Sequence, residues 1–235
     1  AERAKENKTT IQAHMNEYPG EINPYLSRYQ KRPYEFLEEK GVLGPWFLGA
    51  HSLLLSEEEK ELIRERGVRI CHCPFSNCGK AVPDTPSLLK RGIPVGLGTD
   101  GAAHGGLSIW NEMKIFRSVM NVTHGAPLAE PAVMPAKKIL DIAVKGGAAC
   151  LGEEPATIAV GKRADLIGID MDAPHLWIHG KISNTLLESV GAGDVKDMIV
   201  GGRFLMRNRE ILTLDEEKIR SEALAFEKGE SRWSI

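Results

Sequence analysis

The sequence predicts an α/β fold, with four consecutive strand-and-helix units of a parallel sheet followed by a smaller β segment and a charged terminal helix. Three observations carry that prediction. Short apolar runs alternate with capped, helix-periodic stretches through residues 1–150. Four of those runs stop at or just before a residue with chemistry to offer: His14, His51, Cys73 and Asp100. From about residue 155 the pattern changes to short strands around a diglycine turn.

The first run is Thr9-Thr10-Ile11-Gln12-Ala13, ending at His14, and the second is Trp46-Phe47-Leu48-Gly49-Ala50, ending at His51. Val68-Arg69-Ile70-Cys71 leads into His72-Cys73-Pro74, and Pro94-Val95-Gly96-Leu97-Gly98-Thr99 ends at Asp100. The helices between them carry their own punctuation. Ser56 with Glu59 forms a capping box, and Gly67 closes that helix. Thr85-Pro86 reads as an N-cap followed by proline at the first helical position, with Gly92 as the stop. A Ser108 cap precedes Ile109, Met113, Phe116 and Met120 at helical spacing, and one further helix is expected over 136–149. Beyond it, Asp165 to Ile169 reads as a strand, Val195 to Met206 as a hairpin turning at Gly201-Gly202, and residues 214–229 as a helix. The expected domains are therefore 1–154, 155–213 and a terminal helix and tail at 214–235.

The composition narrows the function. With 235 residues, 42% of them hydrophobic, the chain can bury a real core. Its net charge of −2 supplies no electrostatic attraction for nucleic acid or an anionic membrane, so neither is expected as a partner. No stretch approaches the ~20 apolar residues of a membrane span. Four cysteines in a chain of this length suggest reduced thiols in a cytoplasmic protein. The opening Ala1-Glu2-Arg3-Ala4-Lys5-Glu6 reads as the tail of a helix already under way, without an initiator methionine.

The spacing between the four strand ends is 37, 22 and 27 residues. A (β/α)₈ barrel spends roughly 30 residues per unit, so the run fits four consecutive units, half of such a barrel. Chemistry in these barrels sits at the carboxyl ends of the strands, where His14, His51 and Asp100 fall. Taken singly, a strand-end histidine is an ordinary hydrogen-bonded residue, the aspartate of Gly98-Thr99-Asp100-Gly101 a turn former, and Glu17 a solvated loop carboxylate. Their coincidence at one end of the sheet points to a site.

The segments His14-Met15-Asn16-Glu17, Leu48-Gly49-Ala50-His51, His72-Cys73-Pro74-Phe75-Ser76-Asn77 and Gly98-Thr99-Asp100-Gly101 resemble the corresponding stations of the amidohydrolase superfamily. The resemblance is greatest to the branch holding adenosylhomocysteine and methylthioadenosine deaminases, guanine deaminase and the triazine chlorohydrolases. The segments 161–166 and 194–203 resemble the β segment of the same group. The resemblance implies strands five to eight of the (β/α)₈ barrel, the C-terminal part of a small β-sandwich, and one divalent metal ion, Zn²⁺ by the donor types with Fe²⁺ as the alternative. It implies that His14 and Asp100 are metal ligands, that Glu17 exchanges protons with a ring nitrogen of the substrate, that His51 orients or helps deprotonate the attacking water, and that Asp100 takes the water's proton. A metal of this kind lowers the pKa of bound water toward ~7.

The sequence departs from the family at two places. The family supplies two further ligands as His-x-His, and no His-x-His occurs in this chain. Cys71-His72-Cys73 offers soft ligands at that spacing but belongs to the seventh-strand station, and His175 with His179, spaced i, i+4, falls in the β segment with a structural or incidental role. The loop after Asp100 reads Ala102-Ala103-His104-Gly105-Gly106, where deaminases of this branch often continue into Ser-Asn-Asn; His104 either reaches the substrate pocket or lies exposed. The expectation is a deaminase of a purine, adenosine-derived or related nitrogen heterocycle, acting as a homo-oligomer and only when a missing N-terminal half completes the site. The alternatives are a chlorohydrolase-type reaction on a similar ring, or a non-catalytic fragment needing a complementing chain.

Overall fold

The computed structural model describes residues 1–102, 106–130, 132–154, 157–177 and 180–229. It is a mixed α/β fold that divides into two compact units, Ala1–Ala156 with His179–Val190, and Thr157–Ile178 with Gly191–Ile235.

The first unit is built on a parallel sheet of β1 (Ile11–Met15), β2 (Phe47–His51), β3 (Arg69–His72) and β4 (Val95–Leu97), in that spatial order. Its register pairs His14 with Ala50, Ala50 with Cys71, and Cys71 with Gly96. All four carboxyl ends therefore lie at one end of the sheet. Side chains alternate as a pleated strand requires: Ile11, Ala13 and Met15 join the apolar core, while Gln12 and His14 are exposed. The helices are α1 (Glu2–Glu6), α2 (Pro19–Tyr29), α3 (Pro33–Glu39), α4 (Glu57–Arg66), α5 (Pro74–Asn77), α6 (Thr85–Lys90), α7 (Ile109–Met120), α8 (Ala136–Asp141) and α9 (Gly147–Leu151).

Local chemistry sets their ends. Ser56 Oγ accepts from the Glu59 N–H at 3.2 Å while Glu59 bonds back to the Ser56 N–H, and Gly67 ends α4 in the left-handed region. Ser108 caps α7 through the Asn111 N–H. Two expectations shift. Thr85 is the first residue of α6, not its cap, since Asp84 occupies that position and Pro86 is tolerated within the first turn. The helix expected over 136–149 is α8 and α9 joined by a π turn at Ile142–Gly146. That turn brings Gly146 onto β4, where a Cβ would overlap the Val95 carbonyl.

The core lies between the sheet and its helices, with Ile63, Val68, Ile70, Phe116, Met120 and Ile139 among its fully buried members. Each contributes about 1.5–3 kcal/mol by leaving water.

The helix α10 (Ile182–Glu188) belongs to this first unit, although the sequence places residues 155–213 wholly in a β segment. It is held there by buried Thr185 and Leu187, by the Trp110 Nε1–H donating to the Leu186 carbonyl at 2.9 Å, and by an Arg117–Glu188 ion pair.

The second unit holds an antiparallel sheet of β5 (Leu166–Ile169), β6 (Val195–Val200), β7 (Arg203–Arg207) and β8 (Glu210–Ile211), together with helix α11 (Glu216–Glu227). The hairpin turn is made at Gly201 and Gly202, both at positive φ (56° and 79°). Among the described residues no helix is long and apolar enough to cross a membrane.

Candidate active site

The carboxyl ends of β1–β4 are tied together by side chains, and each tie can be traced to a backbone turn. After His14 the chain turns left-handed at Asn16 (φ 51°), which tucks Glu17 inward to 6% exposure. Asn16 is itself buried. Its Nδ2 donates to both Glu59 oxygens at 2.8 and 3.0 Å, and its carbonyl accepts from the Leu53 and Leu54 N–H groups. Glu59, also fully buried, accepts in addition from Arg32 Nε at 2.8 Å and from the Ser56 N–H at 3.1 Å. Glu59, in the first turn of α4, thus fastens the end of β1 to the loop that follows β2.

The end of β2 turns left-handed at His51 (φ 65°) and Ser52 (φ 49°). Ser52 Oγ meets Tyr34 Oη at 2.7 Å; burial raises the Tyr34 pKa, so that hydroxyl stays protonated. The His51 carbonyl lies 2.7 Å from His72 Nδ1. His72 is fully buried, which pushes its pKa down to about 4, so the neutral ring donates from Nδ1 while Nε2 has no partner among the described residues.

From β3, the short helix α5 delivers Ser76 and Asn77. Ser76 Oγ donates to Asp100 Oδ2 at 2.6 Å, and Asn77 lies 2.9 Å from His51 Nδ1. Lys80 Nζ bonds Ser76 Oγ at 2.9 Å and forms an ion pair with Glu17. Asp100 closes the group from the end of β4 in the left-handed region (φ 56°), its Oδ1 accepting from the Gly101 N–H.

These turns converge on His51. Its Nε2 stands 3.4 Å from Glu17 Oε1 and 4.0 Å from Asp100 Oδ2, and its ring centroid is 5.0 Å from that of His14. One donor atom each from His14, Glu17 and His51 lies within 4.8 Å of the others, a grouping that could hold a metal ion. An imidazole and carboxylates at this spacing can also pass protons among themselves through a bound molecule.

Of the residues singled out in the sequence, His14, Glu17, His51 and Asp100 come together. His104 and His179 lie outside the described residues. His175 pairs with Asp194 in the second unit. Cys71-His72-Cys73 does not converge as a ligand set: His72 turns to the His51 carbonyl, and the neighbouring Cys150 and Cys73 thiols, with burial, push the Cys71 thiol well above its ordinary range. Sequence reasoning missed Ser76, Asn77, Lys80 and the organising role of Glu59. Ser76 and Asn77 stood within the segment 72–77 that carries the family resemblance, and Glu59 was the second member of the capping box; Lys80 had no local signal.

The amidohydrolase family profile matches residues 1–205. A 5'-deoxyadenosine deaminase of Methanosarcina mazei is 35% identical over 225 residues, covering 94% of this chain and 51% of that protein. A 5-methylthioadenosine/S-adenosylhomocysteine deaminase of Syntrophobacter fumaroxidans is 36% identical, covering 92% of this chain and 50% of that protein. Among solved structures, an adenosine deaminase of Xanthomonas campestris with bound zinc superposes with a TM-score of 0.89 at 25% identity, covering 97% of this chain and 52% of that one. An atrazine chlorohydrolase of Arthrobacter aurescens complexed with zinc reaches 0.84 at 24% identity, covering 95% of this chain and 50% of that one, a likeness of fold alone. The chain spans about half the length of the curated relatives it matches.

Proposed function

The chain belongs to the amidohydrolase family, and from that premise we propose that it supplies one half of a metal-dependent aminohydrolase acting on a purine, an adenosine-derived nucleoside or a related nitrogen heterocycle. The observation that carries this reading is the convergence of two carboxylates, Glu17 and Asp100, on the buried imidazole of His51 at the carboxyl end of a parallel sheet. In this reading β1–β4 are strands five to eight of a (β/α)₈ barrel. The open order β1-β2-β3-β4 gives β1 and β4 an edge each, and four further strands would close the ring. The sheet β5–β8 is the C-terminal part of a composite β-sandwich. The four free thiols fit a cytoplasmic location.

An imidazole and a carboxylate are donors suited to a borderline divalent cation. His14 and Asp100 are the ligands from this chain, Zn²⁺ is the ion, and Fe²⁺ is an alternative that the same donors accept. With no His-x-His in these 235 residues, the remaining ligands come from elsewhere in the complete site. When bound, such an ion makes a water acidic enough to lose a proton near neutrality.

The chain's own residues manage the protons. Glu17, buried beside Lys80, donates to the ring nitrogen as the amino-bearing carbon is attacked. His51 orients the attacking water. Asp100, held by Ser76, accepts the proton that this water loses and returns it to the departing amine. Water adds, ammonia leaves, the proton of the added hydroxyl passes back to Glu17, and the ring carbon becomes a carbonyl.

The test is turnover by the intact, Zn²⁺-loaded protein with 5'-deoxyadenosine, 5'-methylthioadenosine and S-adenosylhomocysteine. Ammonia should be released, and Glu17→Gln should lower kcat by about 10²–10⁴-fold. Chloride release from a chlorotriazine, with no ammonia from any nucleoside, would replace this reading with the chlorohydrolase one.

A further inference from the structure

The carboxamide of Asn77 lies between the Cys73 backbone and the ring of His51, at 3% exposure. A backbone N–H can only donate and a carbonyl can only accept. The Cys73 peptide groups therefore orient the amide without reference to the imidazole: Oδ1 accepts from the Cys73 N–H at 3.2 Å, and Nδ2 donates to the Cys73 carbonyl at 3.1 Å. The opposite orientation would set oxygen against oxygen and N–H against N–H in a buried site, losing both bonds and stranding the groups that make them. The second Nδ2 hydrogen then points at His51 Nδ1, 2.9 Å away. That nitrogen must be the acceptor. A neutral imidazole with a bare Nδ1 carries its proton on Nε2.

We infer that Asn77 is a positioning residue that locks His51 in the Nε2–H tautomer, so that the ring presents an N–H to Glu17 Oε1 at 3.4 Å and Asp100 Oδ2 at 4.0 Å. Two consequences follow from the one proton. His51 is not a metal ligand, although its donor atom lies within 4.8 Å of those of His14 and Glu17: the Nε2 lone pair is occupied and Nδ1 faces a buried amide. His51 is also not the base that takes the water's proton. It donates a hydrogen bond to the attacking oxygen, and proton acceptance falls to Asp100. The mechanistic half of this inference rests on the aminohydrolase reading, while the tautomer rests on the geometry alone.

Nitrogen-15 NMR of the intact protein labelled with [¹⁵N]histidine reads the tautomer directly, with and without Zn²⁺, at a pH where the imidazoles are neutral; His51→Gln assigns the signal. The expected result is a protonated Nε2 and a bare Nδ1. In Asn77→Asp the carboxylate can only accept, so the proton should move to Nδ1, with kcat down by about 10²-fold and KM little changed. A wild-type Nδ1–H, an unchanged tautomer in Asn77→Asp, or Zn²⁺ found by anomalous scattering at bonding distance from His51 would each overturn the inference. Should Asn77→Asp fail to fold, the wild-type spectrum decides alone. A protein with the expected tautomer but no deaminase activity would overturn the functional reading and leave this one standing; active protein with Nδ1 protonated would do the reverse.

Discussion

The parallel sheet β1–β4 and the antiparallel sheet β5–β8 both end in residues at positive φ, but the two sheets use that conformation differently. In the antiparallel sheet it falls on Gly201, Gly202, Asn208 and Arg209, where the chain simply reverses. Its side-chain bonds are exposed to solvent: Asp165 Oδ1 accepts from the Gly201 N–H, 36 residues away, and Asp197 Oδ1 from the Asn208 N–H, 11 residues away. In the parallel sheet the same conformation falls on Asn16, His51, Ser52 and Asp100. A left-handed histidine, serine or aspartate costs of order 1–3 kcal/mol and persists only where its surroundings over-determine it. Here they do, through Glu59, Tyr34, His72 and Ser76, reaching across 18 to 43 residues of sequence. Strain offset by long-range bonds marks a place where side-chain position matters more than local comfort.

This contrast can be broken or sharpened by substitution. The largest effect is expected at Glu59. Glu59→Ala would leave Asn16, Arg32 and the Ser56 N–H without their shared acceptor, with a loss of about 3–5 kcal/mol in urea unfolding. A loss below 1 kcal/mol would mean that the network does not hold the strand ends. Next is His72. An unfolded histidine binds a proton below about pH 6.5, whereas the buried ring does so only near 4. Stability contributed at this site should therefore be unchanged above pH 6.5 and fall by about 3 kcal/mol as the pH drops to 4. His72→Asn, whose amide can still donate to the His51 carbonyl, should flatten that slope; an identical slope would assign it to another group. The smallest effect is expected in the other sheet, where Asp197→Ala should cost about 1 kcal/mol and no catalytic activity. A larger loss there would erase the distinction between the two sheets.

The same contrast explains what could be read from sequence. The apolar run that ends at His14, the Ser56–Glu59 box and the Gly201-Gly202 turn are local signals, and the corresponding elements formed where expected. His14, His51 and Asp100 were visible because each ends an apolar run, and Glu17 because it stands three residues after His14 in a segment that resembles the family. Asn77 stood in a segment that resembles the family, but its contact with His51 was not visible, and Lys80 was not singled out at all, because their partners lie 26 and 63 residues away and nothing in the intervening sequence encodes the distance. Helix α10 was missed for a related reason. It is tied to Trp110 and Arg117 in another part of the chain, 76 and 71 residues away.

Lys80 has a consequence in terms of charge balance. Glu17 and Asp100 both stand within 4.0 Å of one imidazole nitrogen, and two carboxylates so placed would repel each other if left alone. Lys80 touches Glu17 directly and reaches Asp100 through the Ser76 hydroxyl. The cluster therefore carries one net negative charge instead of two. Once Glu17 takes up the proton it must donate in the proposed reaction, the cluster is neutral, and a dication there would leave it two units positive, an environment that favours surrender of that proton to a neutral ring.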